Sequence, residues 1–311
     1  MTKKTAILFA GQGAQAVGMG SDLAAAYPVA ADLFKRADAI LGYSISSIAF
    51  DGPDEELTKT VNCQPALYVH GMACLAALRQ EFPGFSAGAA AGLSLGEFTA
   101  HAAAGTFDFE TGLRIVAARS RFMQEACDST SGAMAAMIGG EENAVRDLAA
   151  EADVDVANIN SPGQIVVSGE AAKIALAVSL AKEHGIRRAS VLNVAGAYHS
   201  RLMDSAYLKL GEVLEKTTFN DPEFPVICNV DALPVKEAAR IRETLQQQVT
   251  GTVRWMETIA YLADVAKIEQ FIELGPGGII AGLVNRTRKG MPVFSISDAA
   301  SVKAAVAYLK N

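Results

Sequence analysis

The sequence predicts an α/β fold on a mostly parallel sheet, with a small second unit of strands and helices inserted into it. Three observations carry this. Strand-like and helix-like runs alternate from residue 5 to residue 126. The motif Gly92-Leu93-Ser94-Leu95-Gly96 stands between one such strand and one such helix. Residues 133–194 then change rhythm and read β-α-β-β-α-β.

Taken in order, TAILFA (5–10) reads as a buried strand and leads into the Gly-rich turn GQGAQAVGMG. Asp22 to Ala39 carries helical spacing, and residues 65–80 read as a buried helix with Pro65 at its start. SAGAAAG (86–92) is a short strand of small residues, EFTAHAAAG (97–105) a helix ending at Gly105, and 111–126 a further helix. In the middle, Ala133–Ile138 is a strand and Glu141–Ala152 a helix. Val154–Ile159 and Gln164–Ser168 are strands around the turn NSPG. Ala171–His184 is a helix closed by Gly185, and Arg188–Val194 a strand. That order is the ferredoxin-like pattern. It places an inserted unit at 128–195 and a larger unit at 1–127 and 196–311. Later landmarks are the strands EFPVICN (223–229) and KIEQFIELG (267–275), the turn GPGG and the helix GIIAGLVNR.

Composition narrows the function classes. Half of the 311 residues are apolar, enough for a large core and too many for a disordered chain. The 27 basic and 34 acidic side chains give a net charge of −7, which argues against a general nucleic-acid binder. Cys63, Cys74, Cys127 and Cys228 have no metal-ligand or C-x-x-C spacing, which fits a reducing compartment and no metal site. The apolar run Thr5–Ala10 is too short for a signal peptide or a membrane span. The expectation is a cytoplasmic protein with no membrane or nucleic-acid partner.

The chemistry centres on Ser94. In the G-x-S-x-G setting the glycines permit a sharp turn, and the serine hydroxyl sits at a helix N-terminus, where backbone N–H groups favour developing negative charge. A nucleophilic serine needs a base. Of four histidines, His70 lies within an apolar helix, His101 lies two turns beyond Ser94 on one helix, and His184 sits where a helix ends. His199, in GAYHS just past a strand, is the candidate base, because strand ends in α/β sheets gather site residues. Arg119 occupies the apolar face of its helix, with Ile115, Val116, Phe122 and Met123 around it. A guanidinium aimed at the core must be partnered. Two readings stand: an ion pair with a core Asp or Glu, or a bidentate receptor for a substrate carboxylate. Gly11-Gln12-Gly13 matches neither a dinucleotide fingerprint nor a P-loop. It is either a plain connection or, with the N–H of Leu95, an oxyanion hole. The GPGG turn reads as a tight turn. Basic clusters at Arg187-Arg188 and Arg286–Lys289 read as solvated faces or as docking points for phosphates or an acidic partner.

With GQGAQ, GLSLGE, Arg119, GAYHS, QVTGTVRW and ELGPGG placed in order, the chain resembles the malonyl-CoA:acyl carrier protein transacylases, of the acyltransferase family of fatty-acid and polyketide synthesis. The resemblance runs from Gln12 to Asn285. It implies an α/β-hydrolase-like large subdomain with the ferredoxin-like insertion. It implies Ser94 as the acyl-accepting nucleophile and His199 as its base, with the main-chain carbonyl of Gln248 as third member. It implies Gln12 and Leu95 as backbone oxyanion donors, Arg119 as receptor for the malonyl carboxylate, and Arg188 near coenzyme A. The partners implied are malonyl-CoA and phosphopantetheinylated acyl carrier protein, with no metal or redox cofactor. Three positions depart from the common pattern: Leu93 where many members have His, Tyr198 where many have Phe or another residue, and Thr252 where Pro is common. The rival readings are a discrete acyltransferase serving a polyketide synthase, a serine thioesterase on the same turn, and a carrier-binding module without turnover. A thioesterase predicts an acidic side chain beside His199 and an uncharged acyl pocket.

Overall fold

The structure, a computed structural model, describes residues 3–310. Met1, Thr2 and Asn311, which the sequence reading assigns to the larger unit, lie outside the described residues. Among the described residues ten strands form two sheets. They are β1 (Thr5–Phe9), β2 (Ala89–Gly92), β3 (Gly132–Ile138), β4 (Asp155–Ser161), β5 (Gln164–Glu170), β6 (Arg188–Val191), β7 (Val226–Ile227), β8 (Pro234–Val235), β9 (Gln270–Leu274) and β10 (Val293–Ile296).

The larger sheet has the order β10-β9-β1-β2-β7-β8. Every pairing in it is parallel except β7 with β8. All five side chains of β1 are buried, as in a central parallel strand covered by helices on both faces. β1, β2 and β7 run parallel, so their carboxyl ends lie together at the sheet edge where α/β folds place ligands.

The smaller sheet is antiparallel with the order β4-β5-β3-β6. Strand periodicity divides its two faces. Ala135, Met137, Ile159, Ile165 and Val167 pack under the helices Glu142–Glu151 and Ala171–Leu180. Met134, Asn158, Asn160 and Val166 face the other way and line a cleft between the sheets. A short seam joins the sheets there. Val253 adds to β4 as a parallel partner of Asn158, with Val253 N–H donating to Ala157 O at 2.8 Å and Ile159 N–H to Val253 O at 2.9 Å. Thr252, at the position where Pro is common in the resembled family, donates its hydroxyl to Val156 O at 2.6 Å.

Several sequence-derived boundaries change. The helix expected at 65–80 runs Thr60–Glu81, so Pro65 lies inside it. Pro65 has no N–H for the carbonyl four residues back, and that carbonyl, Val61 O, takes the Tyr43 hydroxyl instead at 3.3 Å. The helical run 22–39 is two helices, Ser21–Ala26 and Pro28–Leu41, broken at extended Tyr27 because a residue before proline avoids the helical region. The strand expected at 223–229 shortens to β7. The helix after His199 begins as a single 3₁₀ turn, Arg201–Met203, before Asp204–Glu215.

Candidate active site

Ser94 sits between β2 and the helix Leu95–Ala103 with φ 54°, a left-handed conformation that strains a non-glycine residue. The two glycines of the motif make that turn possible by close approach. A Cβ on Gly92 would stand 1.9 Å from the Gly96 carbonyl carbon, and one on Gly96 would stand 2.3 Å from Phe9 O. Asn229, just past β7, holds the turn from the side. Its Oδ1 accepts the Ser94 N–H at 2.7 Å, and its Nδ2 donates to Gly92 O at 2.8 Å.

His199 also has a positive φ, 56°, and is buried. Its Nε2 lies 2.8 Å from Ser94 Oγ. Its Nδ1 lies 2.6 Å from the main-chain carbonyl of Gln248. That carbonyl can only accept, so the proton sits on Nδ1 and Nε2 is the acceptor facing Ser94. Burial, with the Arg119 charge second, lowers the His199 pKa to about 4. The imidazole is therefore neutral at neutral pH. No acidic side chain takes the place of the Gln248 carbonyl, contrary to what a thioesterase reading expects.

Arg119 is 1% exposed and stacks over Phe98, with 5.2 Å from guanidinium carbon to ring centroid. Nη1 donates to Gln64 Oε1 at 2.6 Å. Nη2 donates to Gln248 Oε1 at 2.6 Å and to Ser94 Oγ at 3.0 Å. Among the described residues none of its hydrogen-bond partners is a carboxylate, so the ion-pair reading finds no pair. Burial lowers its pKa only to about 10, and it stays charged. The protein thus aims a desolvated cation, held by two neutral amide oxygens, at the serine hydroxyl.

These groups line one cleft of about 780 Å³, together with Gln12, Leu95, Leu93 and Tyr198. Tyr198 packs at its wall with its hydroxyl 2.5 Å from Thr60 Oγ1. Arg188 lies apart from this lining. It is exposed on β6, the outer strand of the smaller sheet. Besides Arg119, the basic groups at the cleft are Lys59, which pairs with Glu56, and Arg286, which donates to Gln164 Oε1 at 2.9 Å. Arg288 pairs with Asp264 instead. The GPGG turn is held by Glu273, whose carboxylate accepts the N–H groups of Ile280 and Ala281 at 2.9 and 3.3 Å. The other histidines are accounted for locally: His70 bonds Ser297 O, His101 bonds Thr106 Oγ1 and His184 pairs with Glu151. All four cysteines are buried and free. Among the described residues no cluster of His, Cys, Asp and Glu could hold a metal ion, and no helix is long and apolar enough to cross a membrane.

Sequence reasoning singled out none of Gln64, Glu97 and Asn229. Signals for them existed. Gln64 is a polar residue in a helix that is apolar all round, which demands a partner. Ser94 and Glu97 have capping-box spacing. Asn229 ends a strand at the sheet edge that carries the site.

Comparison with known proteins follows the same lines. The acyl transferase domain family matches residues 7–307. The chain belongs to the acyl transferase family. Curated relatives of this acyl transferase include the malonyl CoA-acyl carrier protein transacylase of Bacillus subtilis, 40% identical over 99% of the chain and 98% of the relative. The Escherichia coli (strain K12) protein of the same name is 37% identical over 97% and 98%. Among solved structures, the Coxiella burnetii malonyl CoA-acyl carrier protein transacylase has a TM-score of 0.96 at 33% identity, covering 100% of this chain and 99% of that one. A malonyl-transacylase solved with its type II PKS acyl-carrier protein has a TM-score of 0.94 at 37% identity, covering 98% and 99%. The mixed α/β architecture, a parallel sheet beside a separate antiparallel one, is shared with these structures.

Proposed function

We propose that this acyl transferase moves a malonyl group from malonyl-CoA to the phosphopantetheine thiol of acyl carrier protein, through a malonyl-serine intermediate, in supply of fatty-acid synthesis in the cytoplasm. The observation that carries the reading is the position of Ser94 Oγ, 2.8 Å from a neutral imidazole nitrogen and 3.0 Å from a buried guanidinium without a carboxylate partner. A nucleophile, its base and a receptor for a second negative group thus share one point. In architectural terms, the reading treats residues 128–195 as a ferredoxin-like insert in an α/β-hydrolase-like subdomain formed by 1–127 and 196–311.

In this mechanism the malonyl carboxylate takes both Nη groups of Arg119, which fixes the thioester carbonyl over Ser94. His199 Nε2 takes the hydroxyl proton as Oγ forms a bond to the thioester carbon. The backbone N–H groups of Gln12 and Leu95 stabilise the oxyanion. The C–S bond then breaks, and His199 returns the proton to the departing coenzyme A sulfur. In the second half the carrier's thiol gives its proton to His199 and attacks the ester. Oγ leaves and regains the proton. The Gln248 carbonyl keeps the imidazole in the required tautomer and stabilises the imidazolium. The chemistry calls on no metal or redox cofactor. Arg188, on the exposed edge of the smaller sheet, is a contact for coenzyme A outside the cleft.

The test is intact-protein mass spectrometry after mixing with malonyl-CoA and then with holo carrier protein. Wild type gains one malonyl group, which then clears onto the carrier, whereas Ser94→Ala gains none. An adduct from acetyl-CoA or longer acyl-CoA but not from malonyl-CoA would overturn the assignment of Arg119. Running fatty-acid and polyketide carrier proteins side by side separates the two pathways. An acidic carrier approaching a protein of net charge −7 needs local basic groups. Arg286→Glu is expected to raise the carrier-protein KM about tenfold while leaving acylation by malonyl-CoA unchanged. Unaltered carrier kinetics would remove Arg286 from the docking surface.

A further inference from the structure

We propose that Glu97 is a positioning residue for the transfer: one carboxyl under the cleft floor ties the residue that holds the nucleophile's turn to the residue that holds both the base and the arginine. The proposal rests on the transacylase reading above and adds to it a group that the mechanism does not otherwise use.

Glu97 is the third residue of the helix Leu95–Ala103 and is fully buried. In a capping box its side chain would reach back to the Ser94 N–H. Here Asn229 Oδ1 occupies that N–H, and Glu97 turns outward. Its Oε2 accepts the Asn229 backbone N–H at 3.2 Å and the Gln248 Nε2–H at 3.0 Å. Asn229 holds the Ser94 turn at two points. Gln248 holds His199 Nδ1 through its carbonyl and Arg119 Nη2 through Oε1, and donates to Ser94 O at 2.9 Å. Among the described residues Glu97 is the one side chain bonded to both Asn229 and Gln248. Without it, Gln248 Nε2 keeps one partner in place of two, and the amide that orients Arg119 is freer to turn.

The second oxygen, Oε1, is buried with no partner among the described residues. A buried oxygen without a partner costs far less on a neutral carboxyl than on a carboxylate, so the arrangement, with both N–H groups on Oε2, favours the protonated form. The charged and titratable groups around it are Arg119, which favours the ionised form, Asp231, which opposes it, and Cys228. Burial outweighs Arg119 and pushes the Glu97 pKa up to about 8. At neutral pH, Glu97 therefore leaves the Arg119 charge free for an incoming carboxylate. Above about 8 the ionised carboxyl competes for it, so malonyl binding weakens as pH rises.

The experiment measures the acylation half-reaction of wild type, E97Q and E97A from about pH 7 to 9, with malonyl-CoA and with acetyl-CoA. Gln retains the accepting oxygen and cannot ionise, so kcat of E97Q at pH 7 is expected within about threefold of wild type. Wild-type KM for malonyl-CoA rises as pH passes about 8, E97Q KM stays level, and acetyl-CoA shows no such rise in either. E97A loses about 10²-fold in kcat because the base and arginine are no longer held in register. A KM for malonyl-CoA that rises with pH in E97Q as it does in wild type overturns the proposal, as does E97A with wild-type kcat and KM. Should E97A fail to fold, E97Q decides alone. Failure of the transacylase reading would look different: wild type itself would form no malonyl adduct.

Discussion

His199→Ala is expected to reduce malonyl transfer by roughly four to six powers of ten, the scale of removing the base from a serine nucleophile. The variant keeps the Ser94 turn, which is held by Gly92, Gly96 and Asn229 and not by the histidine. Substrate binding through Arg119 persists, so the loss falls on kcat. In the wild type, the depressed His199 pKa sets the acid limb. The neutral ring is the competent form, and burial followed by the Arg119 charge lowers its pKa to about 4. Acylation by malonyl-CoA should hold from neutral pH to about 5 and fall only as pH approaches 4. A pH–rate profile of the single-turnover acylation checks this, and an acid limb near the ordinary histidine value of about 6.5 would contradict it.

Arg119→Ala has the second large effect, and it discriminates between substrates. Hydrogen bonds to charged groups contribute about 1.5–3 kcal/mol each, so losing a bidentate pair predicts a fall of about 10²–10⁴-fold in kcat/KM for malonyl-CoA. Acetyl-CoA has no carboxylate to lose, and its turnover should change by less than about tenfold. Equal losses on the two substrates would mean that Arg119 only supports the fold. The variant also removes the second cause of the depressed His199 pKa. Its acid limb, read with acetyl-CoA, should therefore shift to higher pH. The two predictions are coupled through one cation between base and substrate.

How much of this was legible in the sequence depended on distance along the chain. Ser94 was readable because strand, turn and helix lie within one short stretch, and His199 because only four histidines compete for the role. The β-α-β-β-α-β run was readable because its strands and helices follow one another along the chain between Gly132 and Val191. Arg119 announced itself by breaking an apolar face, but its amide partners came from residues 64 and 248, which no periodicity connects. Glu97 and Asn229 were missed because each makes local sense elsewhere, one as a helix-capping acid and one as a strand-end polar residue. The break at Tyr27 follows from Pro28, a local rule that the helical spacing of 22–39 masked, whereas Pro65 sits inside its helix with the carbonyl it frees partnered from outside by the Tyr43 hydroxyl.

The seam at Val253 has a consequence for how this protein can be altered. Gln248 reaches the base and the arginine, and five residues later the same loop is hydrogen-bonded as an extra strand to β4. Arg201, two residues after the base, is pinned to that strand as well, through Asp155. The width of the cleft and the alignment of the reacting groups are therefore one mechanical quantity. A chimera that exchanges the smaller sheet for that of a relative must carry Ala157 and Ile159 in matching register with Val253. Grafted out of register, it would still fold around its own helices, and the misfit would surface as a detuned histidine.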